Sequence, residues 1–231
     1  FVIDLASNQR PIILVGNQTF TKMEVSMMKD TKEKIVLVAL ELFATDGYAG
    51  VSMSMIASEI GITKAALYKH YTNKQDIFDS IVAWMQEKNK AHAKKFDVPI
   101  GSFENTSEIK KAAVLKKIKT FSLEMFKYWT EDTLASNFRK MLTLEQYRNP
   151  EMANLLNGYL TGGIAGFAKD LISEASNSDQ NADVLALEYF APIYMMMNLY
   201  DQMDNKEHAS DMVEKHIDYF MASISGGHSN E

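Results

Sequence analysis

Apolar residues recur at helical spacing along most of this 231-residue chain, and the clearest case lies near the N-terminus. From about Thr31 to Thr45, the apolar positions fall on one face of an α-helix: Ile35, Val38, Ala39, Leu42 and Phe43. Thr31 is expected to cap the N-terminus of this helix, and Gly47 is expected to end it.

Two short helices and one longer helix are expected to follow. The short helices should end at about Ile60 and run over 64–70, with Gly61 forming the turn between them. The longer helix should extend over about 74–96, where apolar residues again recur at helical spacing. Side chains able to cap these helices lie at suitable positions: Ser52 or Ser54, Thr63 and Asn73.

The rest of the chain also carries helical patterns. Further helices are expected at about 107–129, 132–147, 150–175, 182–204 and 206–224. Pro192 lies inside the fourth of these segments and should kink or split it. The apolar run Ile12–Val15 forms either a short strand or no regular element, and no later segment alternates as a strand. The chain is therefore predicted to be all-α.

Residues 53–71 have the composition that a helix-turn-helix requires. Two short helices that cross steeply need a small residue at their contact, here Ala57, and a residue tolerant of positive φ in the turn, here Gly61. The outward side chains of the second helix are short at its start and polar or cationic later: Thr63, Lys64, Ala65, Tyr68 and Lys69. Such a helix can enter the major groove of DNA, where Tyr and Lys reach phosphates or base edges. The same Ala–Gly spacing also occurs in helix pairs that have only a structural role.

Charge is distributed unevenly along the chain. Residues 29–96 contain ten lysines and eight carboxylates, whereas residues 97–231 contain twelve basic and twenty acidic residues. The first region is weakly cationic although the net charge of the chain is −6, so this region should face the phosphates of DNA.

The segment from Ala39 to Phe78 resembles the TetR (tetracycline-repressor-type) family of transcriptional regulators. The matching positions are Leu42, Phe43, Asp46, Gly47, Tyr48, Ser52, Ile56, Ala57, Gly61, Ile62, Ala66, Leu67, Tyr68, His70, Tyr71 and Lys74. The resemblance implies a homodimer in which each N-terminal domain binds a double-stranded DNA operator. It also implies a helical C-terminal domain that dimerises and binds a small effector, with repression relieved by that ligand.

The resemblance and the helical pattern together predict the organisation of the chain. We expect a flexible arm or extension over 1–28, a three-helix DNA-binding domain over 29–75, a connecting helix over 76–96, a larger ligand-binding and dimerisation domain over 97–225 and a disordered tail over 226–231.

The resemblance also implies the DNA contacts. Residues in or beside the groove would be Thr63, Lys64, Ala65, Tyr68 and Lys69, and residues at phosphates would be Ser52, Ser54, Tyr68, His70 and Lys74. Residues 29–96 contain no Arg, so bidentate arginine–guanine readout is excluded.

Aromatic and methionine-rich stretches of the C-terminal region fit a hydrophobic ligand pocket, a dimer interface or an ordinary core. The candidate pocket residues are Phe121, Met125, Trp129, Phe138, Met141, Gly162, Gly166 and Tyr194. The candidate dimer residues, by likeness to the paired last helices of the family, are Met195, Met196, Leu199, Met212, Ile217 and Phe220.

Other classes of protein are less well supported by the sequence. The chain has no cysteine, no apolar run long enough for a membrane span and no catalytic motif. We therefore expect a cytoplasmic protein that is not an enzyme and that needs neither a cofactor nor a metal. The main alternative is a helical ligand-binding or protein-interaction bundle that does not bind DNA, and a second is a helical-bundle enzyme with an apolar pocket.

Overall fold

The computed structural model describes the backbone of residues 12–15, 18–21, 30–93, 108–162, 169 and 182–225. The chain divides into two compact units, and it passes from one to the other three times. The first unit contains residues up to 91 together with 132–145, and the second contains 92–131 and the residues from 146 onward. The predicted domain over 97–225 is corrected by this division, because residues 132–145 pack with the N-terminal unit.

Five helices build most of the first unit. They are α1 (Thr31–Gly50), α2 (Met53–Ile60), α3 (Lys64–Tyr68), α4 (Lys74–Ala93, in this unit up to Ala91) and α6 (Thr133–Glu145). The unit also includes an antiparallel hairpin of β1 (Ile12–Val15) and β2 (Gln18–Thr21), in which Ile12 pairs with Thr21 and Val15 with Gln18. The all-α class is confirmed for the described residues apart from this hairpin, which lies where a flexible arm was predicted.

The second unit is helical throughout its described part. It contains α5 (Glu108–Glu131), α7 (Pro150–Leu156), the π-helical segment Asn157–Gly162, α8 (Ala182–Tyr200) and α9 (Lys206–Ser225). Pro192 lies inside α8 and does not split it, contrary to one of the two expected outcomes. The tail over 226–231 lies outside the described residues. No described helix is both long enough and apolar enough to cross a bilayer.

Side-chain caps explain why the N-terminal helices begin where they do. The side chains of Ser52, Thr63 and Asn73 accept backbone N–H groups of α2, α3 and α4 at 3.2, 3.1 and 2.9 Å, as predicted. The cap of α1 is Asp30, which accepts the N–H of Lys32 at 2.8 Å, so the expectation of Thr31 was wrong by one residue. Each such cap stabilises a helix by about 1 kcal/mol.

Helix α6 contributes to the apolar core of the described part of the first unit. Phe43 of α1, Ile56 of α2 and Leu67 of α3 are fully buried, as is Phe138 of α6. Helix α6 packs along α1. Burying each side chain of this size contributes about 1.5–3 kcal/mol, so α6 is a structural part of this unit.

A buried polar contact joins helices of the second unit. The hydroxyl groups of Ser122 on α5 and Tyr189 on α8 lie 2.5 Å apart, and burial raises the pKa of Tyr189 to about 12. His216 of α9 is hydrogen-bonded to the backbone carbonyl of Tyr189 at 2.9 Å. At the surface, Lys119 of α5 forms ion pairs with Glu214 and Asp218 of α9. These contacts fix α5, α8 and α9 together.

Gly47 and Gly61 both adopt a positive φ, of 76° and 79°, but their surroundings differ. A Cβ atom at Gly61 would meet no atom within 4 Å, whereas a Cβ atom at Gly47 would lie 2.8 Å from Oε1 of Glu145. The turn at Gly61 therefore needs glycine only for its backbone conformation, and the turn at Gly47 needs it for space as well.

This difference predicts unequal effects of two matched substitutions. Gly61→Ala should lower the free energy of unfolding by about 1–2 kcal/mol, the usual cost of a left-handed L-residue. Gly47→Ala should lower it by more, because Gly47 combines its positive φ with a ψ of 153°, which almost only glycine adopts, and because the carboxylate of Glu145 must also move. Urea unfolding followed by circular dichroism measures both, and equal losses would contradict this difference between the two glycines.

Candidate nucleic-acid interface

The turn between α2 and α3 fixes the direction in which α3 leaves the first unit. Gly61 adopts the left-handed conformation, the N–H of Gly61 donates to the carbonyl of Ser58 at 3.1 Å, and the N–H of Ile62 donates to that of Ala57 at 3.0 Å. This pattern closes the C-terminus of α2 and starts a new direction. Leu67 then anchors α3 from behind, since it is fully buried.

The predicted DNA-contact residues lie on two consecutive helices and the segment after them. Seven of the nine are exposed: Ser52, Ser54, Thr63, Lys64, Ala65, Tyr68 and Lys69. His70 and Lys74 are half-buried. The turn at Gly61 therefore brings exposed polar, cationic and aromatic side chains of α3 together on the outside of the first unit.

The exposed face of α3 and its flanking residues combines long and short side chains. Tyr68 is 44% exposed, and Nζ of Lys64 lies 5.9 Å from the centroid of its ring. Thr63 uses Oγ1 to cap the helix, and the methyl group of Ala65 lies on the exposed side between these residues. The face combines two lysines with an aromatic ring, a set that can contact both phosphates and bases.

Lys74 has a structural role that the sequence did not reveal. Its ammonium group donates to the backbone carbonyls of Tyr48 and Val51, the latter at 2.7 Å, and lies 4.3 Å from the Tyr48 ring centroid. Burial lowers the pKa of Lys74, and the charge of Glu145 opposes this shift. With two donors used inside the unit, Lys74 holds the corner between α1 and α2.

Glu145 is a second residue of this corner that sequence reasoning missed. It lies at the end of α6 and is only 4% exposed, and its Oε1 accepts the N–H of Ala49 at 3.3 Å. The two residues are 96 positions apart in sequence, so no local pattern connects them. Through this contact the last turn of α6 is joined to the segment that leads into α2.

The first turn of α6 is also fixed to the same unit. Nζ of Lys88 on α4 lies 2.7 and 2.8 Å from the two carboxylate oxygens of Asp132. Asp132 also caps α6, because its Oδ1 accepts the N–H of Ala135 at 3.0 Å. Polar contacts therefore hold both ends of α6 on helices of the first unit.

The predicted pocket residues do not form one group. Phe138 and Met141 are fully buried in the first unit, because α6 packs there. The prediction that they line a pocket of the C-terminal region was therefore wrong. In the second unit, Trp129 is buried and three others are half-buried: Phe121, Met125 and Tyr194. Gly162 ends the π-helical segment, and Gly166 lies outside the described residues.

Three of the predicted dimer residues are exposed and three are not. Met195, Leu199 and Met212 are exposed, at 55%, 42% and 44%. Met196, Ile217 and Phe220 are buried inside the subunit, so their placement at a dimer surface was wrong. Sequence reasoning missed three large apolar residues on the outside of α8 and α9: Val184, Leu187 and Tyr219.

The N-terminal segment matches a known family. Residues 35–81 match the sequence model described as bacterial regulatory proteins of the tetR family. Over 82 residues the chain is 35% identical to the HTH-type transcriptional repressor BepR of Brucella suis biovar 1 (strain 1330). That match covers 34% of this chain and 38% of the repressor, so the chain spans well under two thirds of that relative.

Solved structures with a similar fold extend the comparison beyond this segment. The fatty acid degradation regulator FadR from Bacillus halodurans is 19% identical with a TM-score of 0.56, and the match covers 88% of this chain and 100% of that one. The regulator FadR from Bacillus subtilis in complex with stearoyl-CoA is 18% identical with a TM-score of 0.56, covering 81% and 96%.

The geometry of α2, Gly61 and α3 is that of a helix-turn-helix, and the fold of the chain is similar to that of these solved structures. By sequence, the chain is similar to bacterial regulatory proteins of the tetR family over residues 35–81.

The corner formed by Glu145 leads to a stability prediction. Glu145→Ala should lower the free energy of unfolding by about 1–3 kcal/mol, because the N–H of Ala49 loses its acceptor in a partly buried position. Glu145→Gln should cost less, since the amide oxygen can still accept. Glu124→Ala, at an exposed position of α5, is the control. Chemical denaturation measures all three, and a Glu145→Ala variant as stable as the control would contradict this role.

Proposed function

We propose that this chain is a ligand-responsive transcriptional regulator that represses transcription from a near-palindromic DNA operator until a small hydrophobic ligand releases it. The observation that best supports this proposal is the exposed face of α3. Lys64, Tyr68 and Lys69 are exposed there, and the buried side chain of Leu67 anchors the opposite side of the helix. Exposed lysines and an aromatic ring on a short helix after a tight turn suit the major groove and its bordering phosphates.

In this proposal the contacts divide by position. The residues toward base edges are Thr63, Lys64, Ala65, Tyr68 and Lys69, and those toward the phosphates are Ser52, Ser54, Tyr68 and His70. Lys74 acts mainly by holding the corner between α1 and α2, on which the orientation of α2 and α3 depends. The protein would act in the cytoplasm, where a bacterial operator is accessible.

The outer faces of α8 and α9 support a homodimer. Along α8, Val184, Leu187, Met195 and Leu199 recur at intervals of three, eight and four residues, which places them on one side of the helix. On α9, Met212 and Tyr219 are seven residues apart and also share a face. Large apolar residues exposed along one side of a helix suit an interaction site, and in this proposal a second copy of the chain covers them. A dimer would place two α3 helices in successive major grooves, ~34 Å apart.

Helix α6 provides a route by which a ligand could control DNA binding. The preceding helix α5 belongs to the second unit and ends at Glu131, one residue before the anchored Asp132. A ligand that favours a different arrangement of α5 would therefore displace α6 through the chain itself. Because α6 ends at Glu145, beside the corner that leads into α2, this displacement would reach the DNA-binding helices. Coupling of about 1–3 kcal/mol is typical of such switches.

The second unit offers aromatic and sulfur-containing side chains for an apolar ligand. Phe121, Met125 and Tyr194 are half-buried rather than sealed in the core, so they remain the best-placed of the predicted pocket residues. Acyl-coenzyme A thioesters are suitable first probes, because the Bacillus subtilis structure of similar fold is in complex with stearoyl-CoA.

Operator selection followed by salt-dependent binding tests the proposal. Duplexes enriched from a random pool would be measured by fluorescence anisotropy. Lys64→Ala should weaken binding and reduce the slope of log K against log salt by about one. Lys74→Met should weaken binding and also lower the melting temperature, because it releases two carbonyls. Lys215→Ala on α9, at an exposed position of the second unit, should change neither.

The results of this binding experiment distinguish a DNA-binding regulator from a helical bundle that binds only a ligand. Equal affinity for the enriched and scrambled duplexes at every salt concentration would overturn the regulator. Binding of an apolar ligand without any sequence preference for DNA would instead favour a helical ligand-binding bundle.

A separate experiment tests whether the exposed apolar residues of α8 form the dimer interface. Leu199→Lys combined with Met195→Lys should convert the dimer to a monomer, because two charges would be buried in an apolar interface. Leu144→Lys, which alters an exposed leucine on α6, is the matched control and should leave the dimer intact. Sedimentation at micromolar concentration gives the mass. A double variant that still sediments as a dimer, or an unaltered chain that is monomeric, would contradict this surface.

A further inference from the structure

The side chains exposed on α3 limit how this protein can recognise a base sequence. From Ser52 to His70 the chain contains no Arg, Asn or Gln, the residues that make the common bidentate contacts to guanine and adenine. It also has no Asp or Glu on α3, so the carboxylate acceptor that commonly pairs with the amino group of cytosine is lacking there. The hydrogen-bonding readers of this helix are therefore Thr63, Lys64, Tyr68 and Lys69.

These remaining polar groups can do little to distinguish one base from another. Oγ1 of Thr63 already accepts the N–H of Ala66 at 3.1 Å as the helix cap. Lys64 places its ammonium 5.9 Å from the Tyr68 ring centroid, and a single flexible ammonium can approach either a purine or a phosphate. Lys69 follows the last residue of α3. Tyr68 adds one hydroxyl group, which can both donate and accept and so does not by itself select one base. Apolar contact can supply discrimination that these polar groups lack.

Ala65 is placed to make that contact. It is exposed, and it lies three residues before Tyr68 and four before Lys69, so the three side chains share one face of the helix. A methyl side chain beside these longer ones leaves a recess in which a base edge can approach the backbone of α3. The neighbouring Ala66 is half-buried and does not share this exposure.

In the major groove, the C5-methyl group of thymine is the apolar feature that a methyl side chain can recognise. We propose that Ala65 reads this group, and that each half of the operator carries a thymine whose methyl contributes directly to affinity. The inference rests on the proposed DNA-binding function and adds the chemical feature that α3 selects.

Replacing thymine by deoxyuridine tests the inference, because it removes only the methyl group and preserves every hydrogen bond of the base pair. Each thymine of an operator enriched by selection would be replaced in turn. At one symmetric pair of positions, binding should weaken about fourfold per half-site, the value expected for one buried methyl group. Replacing thymines elsewhere in the duplex should have little effect.

A double-mutant cycle assigns the effect to Ala65. With Ala65→Gly, the thymine and deoxyuridine operators should bind equally well at that position. Ala66→Gly is the matched control, since it carries the same helix-propensity cost and should preserve the fourfold preference.

The results distinguish failure of this inference from failure of the proposed function. If an operator is enriched but no deoxyuridine substitution weakens binding, the methyl readout is wrong while the regulator stands. The same conclusion follows if the preference survives Ala65→Gly. If no duplex is enriched at all, the DNA-binding function itself fails.

Discussion

The backbone turn at Gly61 is the constraint on which the DNA-binding geometry depends. Its left-handed conformation allows the N–H groups of Gly61 and Ile62 to close the end of α2 and redirects the chain into α3. Leu67 then fixes the rotation of α3, because this side chain is fully buried. With direction and rotation both set, Lys64 and Tyr68 have to face outward. The interface is thus a consequence of one turn and one apolar anchor.

Polar contacts between distant segments complete the same unit. Lys88 holds Asp132 at the start of α6, and Glu145 at its end accepts the N–H of Ala49 near the corner that Lys74 also stabilises. Charged groups that are partly buried keep their positions when each is paired or hydrogen-bonded. Helix α6 is therefore built into the first unit although the sequence places it between helices of the second unit. In the proposed function, this connectivity is the route by which a ligand would control DNA binding.

Local features could be predicted from the sequence because their causes are local. The caps at Ser52 and Thr63, and the turn at Gly61, depend on residues only a few positions apart. The partner of α6 could not be predicted in this way, because an amphipathic pattern shows which face is buried and not what covers it. An apolar residue such as Phe138 could be buried equally well in the core of either unit. Likewise, the resemblance placed Lys74 at a phosphate. Its position in the sequence does not reveal that its ammonium group donates to the backbone carbonyls of Tyr48 in α1 and Val51 just after it.

The absence of cysteine from this chain permits a direct test of where DNA binds. A single cysteine introduced as Lys69→Cys, labelled with a short photoactivated cross-linker, would be irradiated with an enriched operator duplex. Tyr219→Cys, 80% exposed on α9, is the control. If α3 lies in the major groove, position 69 should cross-link to bases within each half-site and position 219 should give no cross-links. Absence of cross-links from position 69 in a complex that still binds specifically would contradict this placement of α3.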